Sequence, residues 1–383
     1  MSEPDLERLR RELDAVDRRL LAAIADRLRL VHRVSLAKQR SGRRPRDEAR
    51  ETELLARIED AAAERSLPPL LVRAVYRLLL DHSVRMQVEG QVDDDNPGRG
   101  GAVVRVGYQG VEGCYSSIAA AQYMAPRSTR VTYQGFEGFA PLLRAVESGD
   151  IDLALLPIEN TTAGTINESY DLLAALDLHL TGEHFLAVRH CLIGLRPVPL
   201  AHIRRVRSHP MALAQCRRFL GGLSDCLVES YPDTAMACDD LLFGNDPSQA
   251  AIASEEAARM RDLVVLARDV GDRPDNTTRF VVVEREPVRC DPRLPVKTSV
   301  VMGLRHESGA LYRALAALDR RGLNLTKLES RPSEEGAWLY NFYLDFEGHD
   351  GRDDALEELR GLSSSLRVLG TYPQGDRPRF DED

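Results

Sequence analysis

The 383-residue chain carries 51 Lys and Arg against 60 Asp and Glu, a formal charge of −9, with 43% hydrophobic and 29% charged residues. This length exceeds one ordinary domain and predicts two or three compact units, three fitting best. The acidic balance argues against nonspecific nucleic-acid binding, and no apolar run approaches the roughly 18 residues of a membrane span, so neither nucleic acid nor membrane is an expected partner.

The charged opening MSEPDLERLRRELDAVD lacks an apolar segment followed by a cleavage site, and a cytoplasmic protein is expected. Six cysteines form no C-x-x-C pair and nine histidines no ligand pattern, so neither metal nor disulfide framework is expected. Leu6, Leu9, Leu13, Val16, Leu20, Ile24, Val31 and Val34 recur at threes and fours and predict one helix over 5–40. Ser41-Gly42-Arg43-Arg44-Pro45 stops it; helices over 47–65 and 70–88 follow, separated by Ser66-Leu67-Pro68-Pro69. A first helix about 54 Å long outreaches its two partners, which predicts pairing with a second copy. The acidic, then Gly-rich stretch at 91–101 reads as a linker closing an all-α domain over 1–90.

Charges lie in this segment where a core is expected. Arg27 and Lys38 fall on the stripe of Leu20, Ile24 and Val31, while Ser83 and Gln87 fall in line with Tyr76 and Leu80. A lone cation there would snorkel or pair with a neighbour. Several converging polar groups instead imply a pocket, because an unpaired buried charge is costly. Asp47, Arg50 and Glu51 open the second helix at i, i+3 and i+4 and can share one face.

Residues 5–90 resemble the all-helical chorismate mutases, whose active-site pattern is met at Arg10, Arg27, Lys38, Asp47, Arg50, Glu51, Ser83 and Gln87. The resemblance implies a site completed across a dimer. Arg10 lies about 25 Å from Arg27 along one helix, too far for both to grip one small ligand, so Arg10 is expected from the partner chain. Chorismate is a dicarboxylate that rearranges in one pericyclic step, for which clamping arginines and donors to the ether oxygen, Lys38 and Gln87, suffice without a cofactor.

From residue 102 to 284 short apolar runs such as VVRVGY, DLALLPI, HCLIGL and FVVVE alternate with helical stretches such as SSIAAAQYM and ALAQCRRFLGG, an α/β pattern. Five stretches stand out: YQGVEGCYSSIAA, LLPIENTTAGTINESYDLL, SHPMALAQC, DNTTRF and KTS. Singly, each reads as a turn, a cap or a strand end. Together they resemble the prephenate dehydratases, which implies a two-lobed, periplasmic-binding-protein-like α/β domain with a substrate cleft. The resemblance implies Thr278 as the catalytic residue, with Glu159, Asn160, Thr161, Ser208, Gln215, Thr277, Arg279 and Phe280 around the substrate. Thr278 is expected to assist the leaving hydroxide by donating a hydrogen bond, with Glu159 the alternative proton source if its pKa is raised, and Phe280 is expected to keep the ring carboxylate poorly solvated. Gln109-Gly110, Cys114-Tyr115 and Met211 depart from the family's commoner residues.

Residues 296–375 read βαββαβ and resemble an α+β ACT domain of the phenylalanine-sensing kind, on Gly309-Ala310-Leu311 opening a helix and on Asn324-Leu325-Thr326-Lys327 followed by Glu329-Ser330-Arg331-Pro332. A helix start near Gly309 can accept an amino acid's carboxylate, and Glu329 or a backbone carbonyl its ammonium, at a site shared between two subunits. The expectation is a multidomain bifunctional enzyme of phenylalanine biosynthesis, chorismate to prephenate to phenylpyruvate, inhibited by phenylalanine, and assembled as a homodimer or higher homo-oligomer. An arogenate dehydratase with a mutase domain and a non-catalytic amino-acid sensor are the alternatives.

Overall fold

The computed structural model describes residues 3–99, 101–127, 129–305, 307–332 and 340–377. The chain forms two compact units, one of residues 1–97 with 291–294 and one of 98–290 with 295–383.

The first unit consists of α1 (Glu3–Arg40), α2 (Glu48–Glu64) and α3 (Pro69–Asp95). Asp47 caps α2 by accepting the Arg50 N–H at 3.1 Å, and Pro69 starts α3 where an N–H would be unsatisfied. α3 runs past the expected stop near residue 88 into the anticipated linker; Asn96 closes it by donating to the Val92 carbonyl at 2.7 Å, just ahead of Pro97. The apolar stripe of α1 is open: Leu13, Val16, Leu20, Leu21 and Leu30 are each more than half exposed.

In the second unit the chain builds a lobe, leaves it, and returns. β1 (Val103–Gln109), α4 (Tyr115–Met124), β2 (Arg130–Phe136), α5 (Phe139–Ser148), β3 (Leu153–Asn160), β4 (Gly164–Thr165), α6 (Asn167–Ala175) and β5 (His179–Ala187) form most of the first lobe. The second lobe comprises β6 (Cys191–Gly194), β7 (Arg205–Ser208), α7 (Pro210–Ala214), α8 (Arg217–Gly221), β8 (Leu227–Ser230), α9 (Met236–Gly244), β9 (Gln249–Ala253), α10 (Glu255–Met260) and β10 (Val264–Ala267). β11 (Thr277–Glu284) then re-enters the first sheet between β3 and β5, antiparallel to both, giving the order β2-β1-β3-β11-β5. The second sheet runs β10-β6-β9-β7-β8. The chain thus crosses between lobes twice, after β5 and before β11, and both crossings lie beside Thr278.

One expected helix is broken in two. The stretch from Ala212 to Gly222 divides into α7 and α8 because the Asp272 carboxylate accepts the N–H groups of Arg217 and Arg218, at 3.1 and 3.0 Å, and so caps a new helix. Gln215 sits at the break.

The last region is β12 (Val296–Leu304), α11 (Ala310–Asp319), β13 (Asn324–Pro332), β14 (Tyr340–Glu347), α12 (Arg352–Leu362) and β15 (Ser363–Pro373), with sheet order β13-β14-β12-β15 and the expected βαββαβ topology. It is not a separate unit. Val301, Tyr343, Leu369 and Tyr372 share one buried apolar cluster with Leu156, Tyr170, Leu173, Val281 and Val283 of the first lobe. β15 approaches β5 so closely that a Cβ at Gly370 would lie 2.0 Å from the Leu180 carbonyl oxygen, so this position has no room for a side chain. The three expected domains are therefore two compact units, since a shared core couples the second and third.

Candidate active sites

In the helical unit, Arg27 Nη1 donates to Ser83 Oγ at 2.8 Å and to the Leu79 carbonyl at 3.2 Å. Gln87 Nε2 donates to the Ser83 carbonyl at 3.2 Å, while Gln87 Oε1 is buried with no partner among the described residues. Burial lowers the pKa of Arg27. Lys38 donates to the Pro45 carbonyl; burial lowers its pKa, against the opposing pull of Asp47 and Glu51 and with a smaller push from Arg43 and Arg50. Two groupings result: Arg27 with Ser83 and Gln87, and Lys38 with Asp47, Arg50 and Glu51. Glu51 is oriented by Arg46, whose Nε donates to it at 3.3 Å and whose Nη2 reaches Asp81 at 2.8 Å. Sequence reasoning did not single out Arg46, because it lies in a loop outside any helical period. Arg10 is exposed on α1.

Between the two lobes of the second unit, two backbone donors fix the hydrogen-bond polarity. The N–H groups of Thr162 and Ala163 point at Asn160 Oδ1, at 2.9 and 2.8 Å, so that atom must be the oxygen. The Asn160 amide nitrogen therefore faces Thr278 Oγ1 at 2.9 Å, with Asn276 Oδ1 at 2.8 Å. Thr278 is an acceptor in this contact, which leaves its own O–H as a donor. Gln215 Nε2 donates to Asn160 Oδ1 at 3.3 Å, so Gln215 Oε1 is the acceptor for Asn276 Nδ2 at 3.0 Å and for His190 Nε2 at 2.8 Å. His190 then carries its proton on Nε2, and Nδ1 accepts from the Tyr115 hydroxyl 2.8 Å away, whose single proton is shared with the Arg189 carbonyl at 2.9 Å. Burial lowers the His190 pKa, with the Gln215 bond a smaller opposing influence, so the ring is neutral and the chain keeps one polarity.

Tyr115, His190, Gln215, Asn276, Asn160 and Thr278 thus form a continuous chain joining both lobes. Asn276 lies within the quoted DNTTRF stretch but drew no attention beside Thr278. His190 belongs to no motif, and only the fold reveals it.

Other expected substrate contacts are placed differently. Ser208 is fully buried and donates to the Ile252 carbonyl, holding β7 to β9. Thr161 and Thr277 bond each other: the Thr277 N–H donates to Thr161 Oγ1 at 3.0 Å, and the Thr161 N–H to the Thr277 carbonyl at 2.9 Å. Three expectations need correction. Phe280 is 1% exposed and packs in the apolar core of the first lobe with Leu153, Leu155 and Leu186, so it cannot desolvate a ligand carboxylate directly. Arg279 is 4% exposed, and alternation along β11 sends its side chain to the face opposite Thr278, where it pairs with Glu159, Glu183 and Asp345. Glu159 is likewise corrected as a proton source. Burial pushes its pKa up, but Arg279 and Lys327 outweigh burial and hold the carboxyl below the usual range, so it is ionised near neutral pH.

In the last region Gly309, at φ +76°, caps α11, whose first turn contains Ala310 and Leu311. Asn324 Nδ2 donates to Glu347 at 3.1 Å. Ser330 is exposed. Glu329 accepts from Thr165 Oγ1 at 2.7 Å, and Arg331 pairs with Asp171 at 2.5 Å, so both are engaged by the first dehydratase lobe.

Known sequence families match along nearly the whole chain: Chorismate mutase type II at 9–88, Prephenate dehydratase at 106–288 and ACT domain at 298–363. The chain is 34% identical over 378 residues, 97% of each protein, to the bifunctional chorismate mutase/prephenate dehydratase of Escherichia coli (strain K12). It is 41% identical over 285 residues, 71% of this chain and 74% of the relative, to the arogenate dehydratase/prephenate dehydratase 2, chloroplastic, of Arabidopsis thaliana. Among solved structures, the prephenate dehydratase of Arthrobacter aurescens in complex with L-Phe aligns with a TM-score of 0.64 at 30% identity, over 70% of this chain and 90% of that one. On the end-to-end match, the three domains in order, and the two polar sites described above, the chain belongs to the bifunctional chorismate mutase/prephenate dehydratase family.

Proposed function

We propose that Arg27, Lys38, Ser83 and Gln87 hold chorismate in the helical unit and that Thr278 assists the loss of water and carbon dioxide from prephenate in the two-lobed cleft. In the first reaction Arg27 pairs with a substrate carboxylate, and Lys38 and Gln87 donate to the ether oxygen as its bond to the ring breaks. Asp47, Arg50 and Glu51 set the charge around Lys38. In the second, the ring carboxylate leaves as carbon dioxide, its bonding pair enters the ring, and the ring hydroxyl departs with a hydrogen bond from the Thr278 O–H. The observation that carries this reading is the polarity of the Asn160 to Thr278 contact, which leaves the hydroxyl as a donor. Glu159, Thr161, Ser208, Gln215 and Thr277 shape the cleft through their neighbours.

The open apolar stripe of α1 supports a homodimer in which Arg10 of a second copy completes the mutase site. Sedimentation should return a dimer at micromolar concentration, and a monomer with full mutase activity would remove this reading. The ACT region supports phenylalanine as the effector, with Gly309, Ala310 and Leu311 at a helix start for its carboxylate and Asn324, Glu329, Ser330 and Arg331 on the neighbouring strand. No described helix is long and apolar enough to cross a membrane, in keeping with action in the cytoplasm.

Feeding chorismate to the purified protein tests the whole reading. Prephenate should appear first and phenylpyruvate second, phenylalanine should suppress the second step, and arogenate should be a poorer substrate than prephenate. Faster turnover of arogenate would make the chain an arogenate dehydratase with a mutase unit, and binding of prephenate without turnover would make it a sensor.

A further inference from the structure

The face of β11 opposite Thr278 carries a cluster of charges that neither reaction uses. Arg279 donates through Nε to Glu183 at 2.7 Å, through Nη1 to Glu159 at 3.0 Å and Asp345 at 2.6 Å, and through Nη2 to the Tyr372 hydroxyl at 3.1 Å. Lys297 donates to both oxygens of Glu183 at 2.9 Å, and Lys327 to Glu159 at 2.6 Å. Three cations thus meet three carboxylates, and the cluster is electroneutral. Arg279, Glu183, Lys297 and Asp345 are each 5% exposed or less. Such a group is costly to desolvate and gains little over an apolar replacement, so its presence calls for a role other than stability.

Its members are divided between two regions. β3, β5 and β11 supply Glu159, Glu183 and Arg279; each of the four ACT strands supplies one partner, Lys297, Lys327, Asp345 and Tyr372. In register, Arg279 lies opposite Glu159 and Thr278 opposite Asn160. The one strand pair β3–β11 therefore holds the ion pair on one face and the Asn160 to Thr278 contact on the other, and the ladder is irregular immediately after Arg279. On the ACT side, Lys327, Glu329 and Arg331 alternate along one face of β13 and bond in turn to Glu159, Thr165 and Asp171.

We propose that this buried ion cluster is the device by which the ACT domain governs the dehydratase: a change in β13 or β14 redistributes the bonds of Glu159 and Arg279 and so shifts Asn160 and Thr278 across the same ladder. The proposal rests on phenylalanine being the effector. Asp345 and Lys327 are the ACT side's hold on the cluster, and neither belongs to the cleft.

The test measures dehydratase rate and phenylalanine binding on the full chain, for the wild type, Asp345→Asn and Lys327→Gln, with folding checked by circular dichroism. Both variants leave the Arg279 to Glu159 and Arg279 to Glu183 pairs of the dehydratase sheet in place and cut only the hold of the ACT strands on them, so both should keep the effector-free dehydratase rate and the mutase rate within about twofold, and still bind phenylalanine. The ratio of uninhibited to inhibited rate at saturating phenylalanine, well above one in the wild type, should collapse toward one. Lys327→Gln lies at the partly exposed edge of the cluster and serves if Asp345→Asn does not fold. Unchanged inhibition in a folded variant overturns the cluster proposal and leaves the effector reading intact; loss of phenylalanine binding together with inhibition overturns it too, since the residue would then build the effector site. A wild type that phenylalanine neither binds nor inhibits removes the effector reading and this proposal with it.

Discussion

Thr278→Val is expected to lower the dehydratase kcat by about 10² to 10⁴-fold, the usual worth of a positioned proton donor, while the mutase rate is unchanged. Valine has nearly the shape of threonine, so the side chain still fills its place on β11. Asn160 Nδ2 keeps its bonds to Asn276 Oδ1 at 2.8 Å and the Thr277 carbonyl at 3.1 Å, so the rest of the hydrogen-bond chain survives. What disappears is the Thr278 O–H, which the Asn160 contact leaves as a donor. Steady-state assays with prephenate and with chorismate separate the outcomes: equal loss in both units would indicate misfolding, and an unaffected dehydratase would remove Thr278 from the chemistry.

Lys38→Gln is expected to produce the reverse phenotype, a mutase slower by about 10² to 10³-fold with the dehydratase intact. Glutamine retains a donor for the Pro45 carbonyl and so preserves the turn after α1, but it removes the cation that Asp47 and Glu51 favour and burial opposes. Because charge develops on the ether oxygen only as the bond breaks, the loss should fall on kcat more than on KM. A mutase rate within threefold of wild type would contradict the role given to Lys38.

Much of this was legible in the sequence because the signals were local. The 3.6-residue period of α1, the shared face of Asp47, Arg50 and Glu51 at the start of α2, and polar residues on apolar stripes all follow from spacing along one helix, and the βαββαβ order of the last region follows from its succession of strand-like and helical stretches. Relations between distant segments were not legible. Arg279 stood in the motif beside Thr278 and was read as a substrate contact, but strand alternation combined with the docking of a second sheet turns it toward Asp345, 66 residues away. Phe280 shares the Thr278 face of β11 but is buried among apolar side chains from distant segments, which spacing along the strand does not show. The break at Gln215 depends on the Asp272 carboxylate, and the neutral His190 on burial between the lobes, neither of which has a periodic signature. The boundary between the two units falls at Pro97, inside the stretch read as a linker, although α3 takes up its first residues as far as Asp95.

On the proposed function, one chain holds two sites that work independently on successive reactions. The most direct measurement is phenylpyruvate formation from chorismate by Thr278→Val alone, Lys38→Gln alone, and an equimolar mixture of the two. Each variant alone should form little phenylpyruvate, and the mixture should restore it, since prephenate made by one protein is dehydrated by the other. A mixture no more active than its parts would contradict the claim.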